Sequence, residues 1–451
     1  MDFNGKRTMV CGMGKSGIAA AELLKRLGAD VTLQDIKDEN KFEEPKLNQL
    51  KDQGISLLTG ANPSDVHGLD LMILSPGVPL DLPFVERAKE AGISVWGEIE
   101  LAYRLCPAPI TAITGTNGKT TTTALCYEIM KAFNPKTEVV GNIGVPFCEK
   151  IRDIDKDSYV VAEISSFQLE SVQMFRPRVA AVLNITPDHL NRHGSMENYT
   201  ALKNRVFENQ MADDWAILNY DDELCRSLPW GRGRKVYFSR VKTVRDGVFM
   251  DGEYIRAELP NADGKIVNVN DMKIFGAHNV ENALAATAAS LCAGVPAEII
   301  EKGLLAFEGV EHRIEYITEI NGVKFYNDSK ATNTDAAIKS IEAMKSPIEL
   351  ICGGFDKRAD FSQWVKMFDG KVRHAVVIGE VTEKIIETCK AYEFENYDRA
   401  ATLKEAVEVA FRKARPGDCV LLSPACASFD MFENYERRGE LFKRLVLEMR
   451  G

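Results

Sequence analysis

A glycine-rich segment beginning at residue 115 has the residue types that bind the phosphates of a nucleotide. Its residues are, in order, Gly115, Thr116, Asn117, Gly118, Lys119, Thr120 and Thr121. Glycines let backbone N–H groups approach phosphate oxygens closely, Lys119 can reach the outer phosphates, and the Thr120 hydroxyl can bind Mg²⁺. The spacing departs from the usual phosphate loop because Ile113 stands where its first glycine would be. The segment predicts ATP or GTP binding, and a glycine-rich turn without a ligand is the alternative.

A second glycine motif lies near the start of the chain, in Gly12-Met13-Gly14-Lys15-Ser16-Gly17. This spacing, with the acidic residue Asp35 at the end of the next apolar run, is typical of dinucleotide-binding domains. In physical terms a diphosphate and a ribose can lie across such a helix start, and a UDP-sugar has both groups. Because the chain already has a separate nucleotide loop, we expect a nucleotide-linked substrate here. Hydride transfer with NAD and a tight turn that binds nothing are the alternatives.

The elements that must position these motifs are alternating strands and helices. Thr8–Cys11 and Ile110–Thr114 indicate strands directly before the two motifs, and Ile18–Leu27 and Thr121–Lys131 indicate helices after them. This alternation predicts an α/β fold with parallel sheets. Short strands with Gly, Asn and Asp turns between Trp215 and Asn270 indicate a β-rich insertion. Further strands are predicted at Val31–Leu33, Leu71–Leu74, Tyr159–Ala162, Val179–Leu183, Val323–Tyr326, Ile348–Ile351, Ala375–Ile378 and Cys419–Leu422.

The length of 451 residues predicts about three domains, which we place at 1–98, 99–308 and 309–451. The net charge of −10 argues against broad binding to nucleic acids or anionic membranes. The ten cysteines include no C-x-x-C pair, which favours reduced thiols over disulfides or a zinc site. We find no signal peptide and no apolar stretch of the roughly 20 residues that a membrane helix needs. A cytoplasmic protein is therefore expected.

Motifs along nearly the whole chain resemble those of the Mur ligase family. Besides the phosphate loop they are Gly141–Gly144, Glu163–Leu169, Asn184–Leu190, His278-Asn279 with Asn282, Glu311–Arg313, Asn327–Asn333, Gly353-Gly354 with Lys357, and Ser423–Asp430. Three runs resemble in particular the members that add D-glutamate: EISSFQL, NDSKATN, and SPACASFD followed by Asn434–Gly439. The D-N-P-type motif of relatives that add diaminopimelate or lysine is not found.

The resemblance implies a fold of three α/β domains. These are an N-terminal Rossmann-like domain for a UDP-sugar, a central P-loop ATPase-like domain with the β-rich insertion, and a C-terminal Rossmann-like domain for an amino acid. It implies a monomer that uses ATP to add D-glutamate to UDP-N-acetylmuramoyl-L-alanine in peptidoglycan precursor synthesis. The γ-phosphoryl group would pass to the L-alanine carboxylate, and the amine of D-glutamate would then displace phosphate. Such transfers need cations and aligned donors around spreading negative charge.

The resemblance also implies roles for individual residues. Lys119 would stabilise the transferred phosphoryl group, Thr120 and Glu163 would hold one Mg²⁺, and His189 would help to hold a second. The residues that would complete the ATP site with the phosphate loop are Asn282, His312, Arg313 and Asp328. Those that would contact the UDP-sugar are Ser16, Asp35, Gly77, Asn142 and Gln168. The two carboxylates of D-glutamate call for cationic and hydroxyl partners, and the set implied is Lys330, Thr332, Lys357, Ser428 and Phe429.

Some of these residues also have ordinary interpretations. Lys203 lies in a predicted helix, Ser195–Gln210, and the residues alone favour a common helix lysine. The resemblance implies instead that CO₂ carbamylates Lys203, which makes it an anion able to bind Mg²⁺. Glu163 could be a surface carboxylate after a strand, and His189 could be a structural histidine. Tyr435 stands where the family often has Phe.

Four other functions remain open at this point. The nearest is a Mur-type ligase for a different amino acid. A folylpolyglutamate synthase is less expected because it has no place for the N-terminal UDP-type domain. An NAD-dependent oxidoreductase would rest on the first glycine motif alone. A non-catalytic nucleotide-binding regulator would have no use for two metal sites, so the joint presence of Lys119, Thr120, Glu163, His189 and Lys203 argues against it.

Overall fold

The computed structural model describes residues 1–229, 231–260, 262–357 and 359–449, with the backbone only at Asn191. Within these ranges the chain forms two compact units. The first comprises residues 1–272 and 281–306, and the second comprises residues 273–280 and those from 307 onwards. The described part of the first unit has two β-sheets and that of the second has one.

The first sheet is parallel throughout, in the order β3-β2-β1-β4-β5. From the central strand β1 the chain winds outward on one side and then returns to β4 on the other, so the loops after β1 and β4 diverge and leave room for a ligand. Its strands are β1 (Arg7–Cys11), β2 (Asp30–Asp35), β3 (Ser56–Thr59), β4 (Leu71–Leu74) and β5 (Ser94–Gly97). Its helices are α1 (Lys15–Arg26), α2 (Glu44–Asp52), α3 (Pro83–Glu90) and α4 (Glu98–Leu105), with a 3₁₀ turn at Glu39–Lys41.

The second sheet has the order β14-β13-β12-β11-β10-β9-β6-β8-β7. Its strands are β6 (Ile110–Thr114), β7 (Thr137–Gly141), β8 (Tyr159–Glu163), β9 (Val179–Val182), β10 (Trp215–Asn219), β11 (Arg234–Ser239), β12 (Gly247–Asp251), β13 (Tyr254–Leu259) and β14 (Ala262–Asn268). The helices are α5 (Lys119–Phe133), α6 (Phe147–Lys150), α7 (Ser166–Leu169), α8 (Leu190–His193), α9 (Met196–Asn204), α10 (Glu223–Ser227), α11 (Ala277–Cys292) and α12 (Ala297–Ala306). 3₁₀ turns lie at Ile151–Asp153, Arg205–Phe207 and Val269–Asp271.

The strands predicted between Trp215 and Asn270 are present, and they extend the second sheet. β10, β11 and β12 continue its parallel register, and β13 and β14 add antiparallel pairs at its edge. The predicted helix Ser195–Gln210 is shorter than expected, because α9 ends at Asn204 and a 3₁₀ turn follows. At that turn the Arg205 guanidinium donates to the carbonyls of Leu169 (2.8 Å) and Val172 (2.6 Å), which fixes the end of the helix.

The sheet of the second unit has the order β15-β16-β20-β17-β18-β19. The edge strand β15 is antiparallel to β16, and the other neighbours are parallel. The strands are β15 (Glu315–Ile320), β16 (Val323–Asn327), β17 (Ile348–Gly353), β18 (Val372–Ile378), β19 (Tyr397–Arg399) and β20 (Cys419–Leu422). The helices are α13 (Thr334–Ala343), α14 (Ser362–Lys366), α15 (Thr382–Ala391), α16 (Leu403–Lys413) and α17 (Tyr435–Glu448). The predicted α/β architecture with parallel sheets is confirmed.

Each unit buries its own apolar cores. In the first, residues such as Leu24, Ile73 and Val160 are fully buried between sheets and helices. In the second, Leu350 and Ile385 belong to such a cluster. All ten cysteines are free thiols in the structure. Among the described residues, none of the helices combines the length and apolar character needed to cross a bilayer.

Candidate functional site

The predicted phosphate loop leaves the carboxyl end of β6 and runs directly into α5. Its glycines have φ values of +151° at Gly115 and +82° at Gly118, which L side chains rarely adopt. A Cβ at Gly118 would lie 2.3 Å from Asn282 Oδ1, and one at Gly115 would lie 3.0 Å from Leu183 Cβ. Both positions therefore require glycine, and the loop lies close to α11, which carries the predicted ATP residue Asn282.

Two lysines converge on one carbonyl of this loop. Lys119 Nζ donates to the carbonyl oxygens of Gly115 (2.9 Å) and Thr116 (2.7 Å). Lys203 Nζ donates to the same Gly115 oxygen (2.8 Å) and lies 4.5 Å from the centre of the Tyr199 ring. Lys203 is buried, and this burial, followed by the nearby charge of Lys119, lowers its pKa well below the usual value. Lys203 is therefore not the solvent-facing helix lysine that its sequence context favours.

Glu163 ends β8, as predicted, and within the described ranges only one of its carboxylate oxygens has a partner. Oε1 accepts a hydrogen bond from Asn142 Nδ2 (2.7 Å), and the Glu163 carbonyl accepts from Asn142 N (2.8 Å). Oε2 is buried and has no hydrogen-bond partner among the described residues. A buried carboxylate oxygen is costly when unpaired. Because carboxylate oxygen is a ligand that Mg²⁺ prefers, this atom fits the predicted cation.

Within the described ranges, no three His, Cys, Asp or Glu side chains are grouped to hold a metal ion. A Mg²⁺ site does not require such a group, since Mg²⁺ is usually bound by one or two carboxylates together with substrate phosphates and water. His189 lies in the left-handed region (φ +52°) just before α8. Its ring is 4.9 Å from that of Phe167, and 41% of its side chain is exposed, so a ligand can reach it.

Gln168, like Asn142, belongs to the residues predicted to bind the UDP-sugar, and its side chain also caps a helix. Its Oε1 accepts from Ser165 N (2.9 Å) and from Ser165 Oγ (3.0 Å), and Ser165 Oγ in turn accepts from Gln168 N (3.3 Å). This reciprocal arrangement is a capping box at the start of α7. The EISSFQL run is thus a strand end, a cap and a short helix, which together hold Glu163 and Gln168 at one edge of the sheet.

The first sheet carries a pocket of about 540 Å³ at the carboxyl ends of β1 and β4. Ser16, Asp35 and Gly77, the predicted UDP residues of this domain, all line it. Asp35 accepts hydrogen bonds from the backbone N–H groups of Met13 (2.8 Å) and Lys37 (2.9 Å), which hold its carboxylate in place. The volume is within the usual range for small-molecule sites.

In the second unit the predicted residues follow the carboxyl ends of β16, β17 and β20. Asp328 comes directly after β16 and is buried. Its Oδ2 accepts from Ser423 Oγ (2.9 Å) and from Ser340 Oγ, and its Oδ1 accepts from Ile314 N (3.3 Å). Burial raises the pKa of Asp328 to about 6. The carboxylate is thus fixed in place by hydroxyl groups.

The predicted ATP residues His312 and Arg313 precede β15. His312 has φ +64°, and its buried Nδ1 is 2.9 Å from Asn327 Nδ2. A Cβ at Gly439 would lie 2.3 Å from His312 Nδ1, so α17 can approach this ring only through glycine. Arg313 Nε is buried without a hydrogen-bond partner in the part of the chain that the structure describes. An anionic or carbonyl ligand atom would satisfy it.

The predicted D-glutamate residues share the same edge of this sheet. Lys330 and Thr332 follow β16, Lys357 follows β17, and Ser428 and Phe429 follow β20. Ser428 is buried, Lys357 is exposed, and Phe429 is 64% exposed. A cationic and a hydroxyl side chain at one sheet edge is the combination that a dicarboxylate requires.

Tyr435 and Arg438, on α17, contact residues at this edge of the sheet. The Tyr435 ring lies 5.2 Å from Lys330 Nζ and 6.3 Å from the His312 ring, so the residue keeps an aromatic packing role. Arg438 is buried and donates to Ser329 Oγ (3.0 Å) and to the carbonyl of Cys426 (3.2 Å). Burial lowers the pKa of its guanidinium to about 10. The sequence does not reveal this role of Arg438, because a charged residue in an amphipathic helix normally faces solvent.

Models of three protein-family domains match the chain in order. They are "Mur ligase MurD-like, N-terminal domain" at residues 6–97, "Mur ligase middle domain" at residues 113–290, and "Mur ligase, glutamate ligase domain" at residues 312–426. A UDP-N-acetylmuramoylalanine--D-glutamate ligase of Alkaliphilus metalliredigens is 47% identical over all of both chains. A protein of the same name from Lachnospira eligens is 48% identical over 99% of both chains.

Solved structures with the same fold have lower sequence identity. The UDP-N-acetylmuramate-alanine ligase MurC from Thermotoga maritima matches with a TM-score of 0.63 at 20% identity, covering 98% of this chain and 99% of that one. MurF from Acinetobacter baumannii matches with a TM-score of 0.61 at 18% identity, covering 97% of this chain and 93% of that one. These two matches support the three-domain α/β architecture.

Proposed function

Because the chain belongs to the Mur ligase family, we propose that it uses ATP to join D-glutamate to the L-alanine carboxyl group of UDP-N-acetylmuramoyl-L-alanine. Full-length relatives with that printed activity support the choice of substrates. The structural observation that carries the proposal is the arrangement around the phosphate loop. Lys119 and Lys203 share the Gly115 carbonyl, and the charge of Glu163 acts on Lys203. This arrangement suits phosphoryl transfer and has no use in hydride transfer.

The first step transfers the γ-phosphoryl group. An oxygen of the L-alanine carboxylate attacks the γ-phosphorus, the bond to the bridging oxygen breaks, and ADP leaves. The loop N–H groups at the start of α5 would bind the phosphates, since a helix N-terminus favours anions. Lys119 would exchange its loop carbonyls for oxygens of the transferred group, where negative charge spreads in the transition state.

The second step forms the amide. The amine of D-glutamate attacks the carbonyl carbon of the acyl phosphate, the bond from carbon to the phosphate oxygen breaks, and inorganic phosphate leaves as the amine loses its proton. Lys330, Thr332, Lys357, Ser428 and Phe429 would orient D-glutamate, with the cationic and hydroxyl groups on its carboxylates. Their common position after β16, β17 and β20 supports this assignment.

The cation sites are part of the proposal. Glu163 and Thr120 would hold one Mg²⁺, and His189 and Lys203 would help to hold a second; when bound, these ions neutralise phosphate charge. Asn142 holds Glu163 Oε1 and leaves Oε2 to the cation. The ATP base and ribose would contact Asn282, His312, Arg313 and Asp328. Arg313 Nε has no hydrogen-bond partner among the residues that the structure describes.

We further propose that CO₂ carbamylates Lys203. The neutral amine attacks the carbon of CO₂, an N–C bond forms, and one proton is released. Burial and the charge of Lys119 both favour the neutral amine, which supports the reaction. With ¹³C-labelled bicarbonate, NMR should give a carbamate carbon signal. Lys203→Met should abolish this signal, and Lys131→Met, at an exposed position of α5, should keep it. A signal identical in all three proteins would contradict the assignment.

The three predicted domains receive roles on the same basis. Residues 1–98 would bind the UDP moiety in the pocket lined by Ser16, Asp35 and Gly77, with Asn142 and Gln168 continuing the substrate contacts in the central domain. Residues 99–308 would bind ATP and residues 309–451 would bind D-glutamate. The reaction would take place in the cytoplasm, where ATP and the UDP-linked substrate are both available. Light scattering would test the expected monomer.

Phosphate release tests the whole proposal. The purified protein receives ATP, Mg²⁺ and UDP-N-acetylmuramoyl-L-alanine with D-glutamate, L-glutamate, L-lysine or D-alanine. We expect release only with D-glutamate, together with a product heavier by one glutamyl residue. Release with another amino acid would keep the family's chemistry but overturn the amino-acid assignment. Turnover of a nicotinamide cofactor without ATP would instead support the alternative of an NAD-dependent oxidoreductase.

A further inference from the structure

Three aromatic rings form a stack beside the phosphate loop, and the proposed mechanism gives the central one no task. His193 lies between Phe167, at 5.2 Å between ring centres, and Tyr199, at 5.4 Å. The angles between the ring planes are 30° and 27°, so both contacts are stacked. Only 1% of the His193 side chain is exposed. We call Phe167, His193 and Tyr199 the ring stack.

Both ring nitrogens of His193 face a polar partner. Nε2 is 3.0 Å from Ser166 Oγ, and Nδ1 is 3.4 Å from Glu170 Oε1. The His193 carbonyl also accepts a hydrogen bond from Asn198 Nδ2 (3.1 Å). The two contacts at the ring nitrogens fix the rotation of the imidazole and hence the plane against which the two neighbouring rings pack.

The outer rings of the stack touch the two residues proposed to hold the second cation. Phe167 meets the ring of His189 edge-on at 4.9 Å. The Tyr199 ring lies 4.5 Å from Lys203 Nζ, and its hydroxyl is 3.2 Å from Thr116 Oγ1 in the phosphate loop. A rotation or shift of His193 would therefore move Phe167 against His189 and Tyr199 against Lys203.

We propose that His193 is a positioning residue for the phosphoryl-transfer site: through the ring stack it sets the separation of His189 and Lys203. This inference rests on the proposed function for its catalytic meaning. An apolar ring would fill the same space without burying polar atoms that each require a partner. The matched contacts at both nitrogens show that orientation, and not only volume, is specified at this position.

The test replaces the imidazole with a ring that has no nitrogen. His193→Phe keeps an aromatic ring in the stack and removes the contacts to Ser166 and Glu170. The matched control is His374→Phe in the second unit, where His374 Nε2 is 3.1 Å from Asp398 Oδ2. Two quantities are measured: Mn²⁺ binding by electron paramagnetic resonance with a non-hydrolysable ATP analogue, and steady-state phosphate release.

For His193→Phe we expect Mn²⁺ affinity and kcat each to fall about 10- to 100-fold, the range for residues that orient metal ligands. The affinity for UDP alone should stay within about twofold, because none of the ring-stack residues lines the pocket on the first sheet. His374→Phe should change neither Mn²⁺ binding nor kcat. A purely packing role would lower thermal stability and leave the Mn²⁺ affinity unchanged.

Mn²⁺ affinity and kcat of His193→Phe within about twofold of the parent protein would overturn the inference. If that variant does not fold, Ser166→Ala removes one contact and keeps the ring, and a smaller loss in the same direction is expected. The absence of phosphate release by the unmodified protein would refute the proposed function instead. The Mn²⁺ titration would still decide the role of His193.

Discussion

At the scale of single residues, Lys119 and Lys131 lie on one helix in different surroundings. Lys119 begins α5 and is bonded to the loop carbonyls, whereas Lys131 is exposed in its last turn. We predict that Lys119→Met lowers kcat by about 10²- to 10³-fold, because one preorganised cation at the transferred phosphoryl group is lost. The phosphate-release assay measures this, and Lys131→Met should retain full activity. Equal rates for the two variants would remove Lys119 from the mechanism.

Glu98 gives a prediction about pH. It is fully buried, and desolvation, the largest cause, raises its pKa from 4.5 to about 7. The folded chain thus keeps this proton after the unfolded chain has lost it, so the contribution of Glu98 to stability falls as pH rises from about 4.5 to about 7. The full loss is about 3 kcal/mol. Glu98→Gln should remove that dependence.

Urea unfolding at pH 5 and pH 8 measures the effect of Glu98→Gln. The difference in unfolding free energy between the variant and the parent protein should shift in the variant's favour by about 2.5 kcal/mol between the two pH values, because part of the loss already occurs below pH 5. Glu90→Gln, on the exposed side of α3, is the control and should show no such shift. An equal shift in both variants would mean that burial of Glu98 is not its cause.

Sequence alone could predict the residues whose chemistry is local. Gly115 and Gly118 were identifiable because a phosphate loop needs their conformations, and Glu163 because it ends an apolar run. The burial of Lys203 and Arg438 could not be predicted from helical periodicity, which assigns charged residues to the solvent side. Their partners are backbone carbonyls far away in sequence, that of Gly115 for Lys203 and that of Ser329 for Arg438. Every residue has a backbone carbonyl, so the residue types do not reveal such a partner.

At the scale of elements, Glu100 joins α4 to a distant loop. Its buried carboxylate accepts from the backbone N–H groups of residues 173–175 at 2.9–3.0 Å and from Arg104 Nε at 2.6 Å. We predict that Glu100→Ala lowers the unfolding free energy of the first unit by about 3 kcal/mol, because several donors lose one buried acceptor. Calorimetry measures this. Glu383→Ala, which breaks the exposed pair with Arg399, should cost less than about 1 kcal/mol.

Strands were easier to predict than the sheets they form. Leu71–Leu74, Ile110–Thr114 and Cys419–Leu422 have the bounds predicted for them, because runs buried on both faces are mostly apolar. The strands between Trp215 and Asn270 were recognised by their turns, but their continuation of the second sheet could not be. Strand pairing is set by contacts between distant residues, and short strands with polar turns are compatible with several partners.

At the scale of the whole molecule, the order of motifs predicted three α/β domains but not the two compact units. Residues 273–280 join the second unit although they precede α12 in sequence. Amino-acid composition does not show where a chain leaves one unit and later returns to it. The limits 1–98, 99–308 and 309–451 therefore stay a prediction. The meeting of Ser16, Asp35 and Gly77 in one pocket follows from a simpler rule, that loops after parallel strands share an edge.

Separate cores in the two units predict separate unfolding transitions. Leu24 is fully buried in a core of the first unit, and Ile385 is fully buried in a core of the second. We predict that Leu24→Ala destabilises only the first unit and Ile385→Ala only the second, each by about 2–5 kcal/mol, the usual range for such truncations.

Calorimetry would show two transitions for the full chain, and fluorescence would assign them. The buried Trp364 reports on the second unit once the other tryptophans, Trp96, Trp215 and Trp230, are replaced by Phe. In that background Ile385→Ala should lower the temperature of the Trp364 transition, and Leu24→Ala should leave it unchanged. A single transition that both variants shift equally would mean that the units unfold as one cooperative body, because only coupled cores transmit a local loss to the whole chain.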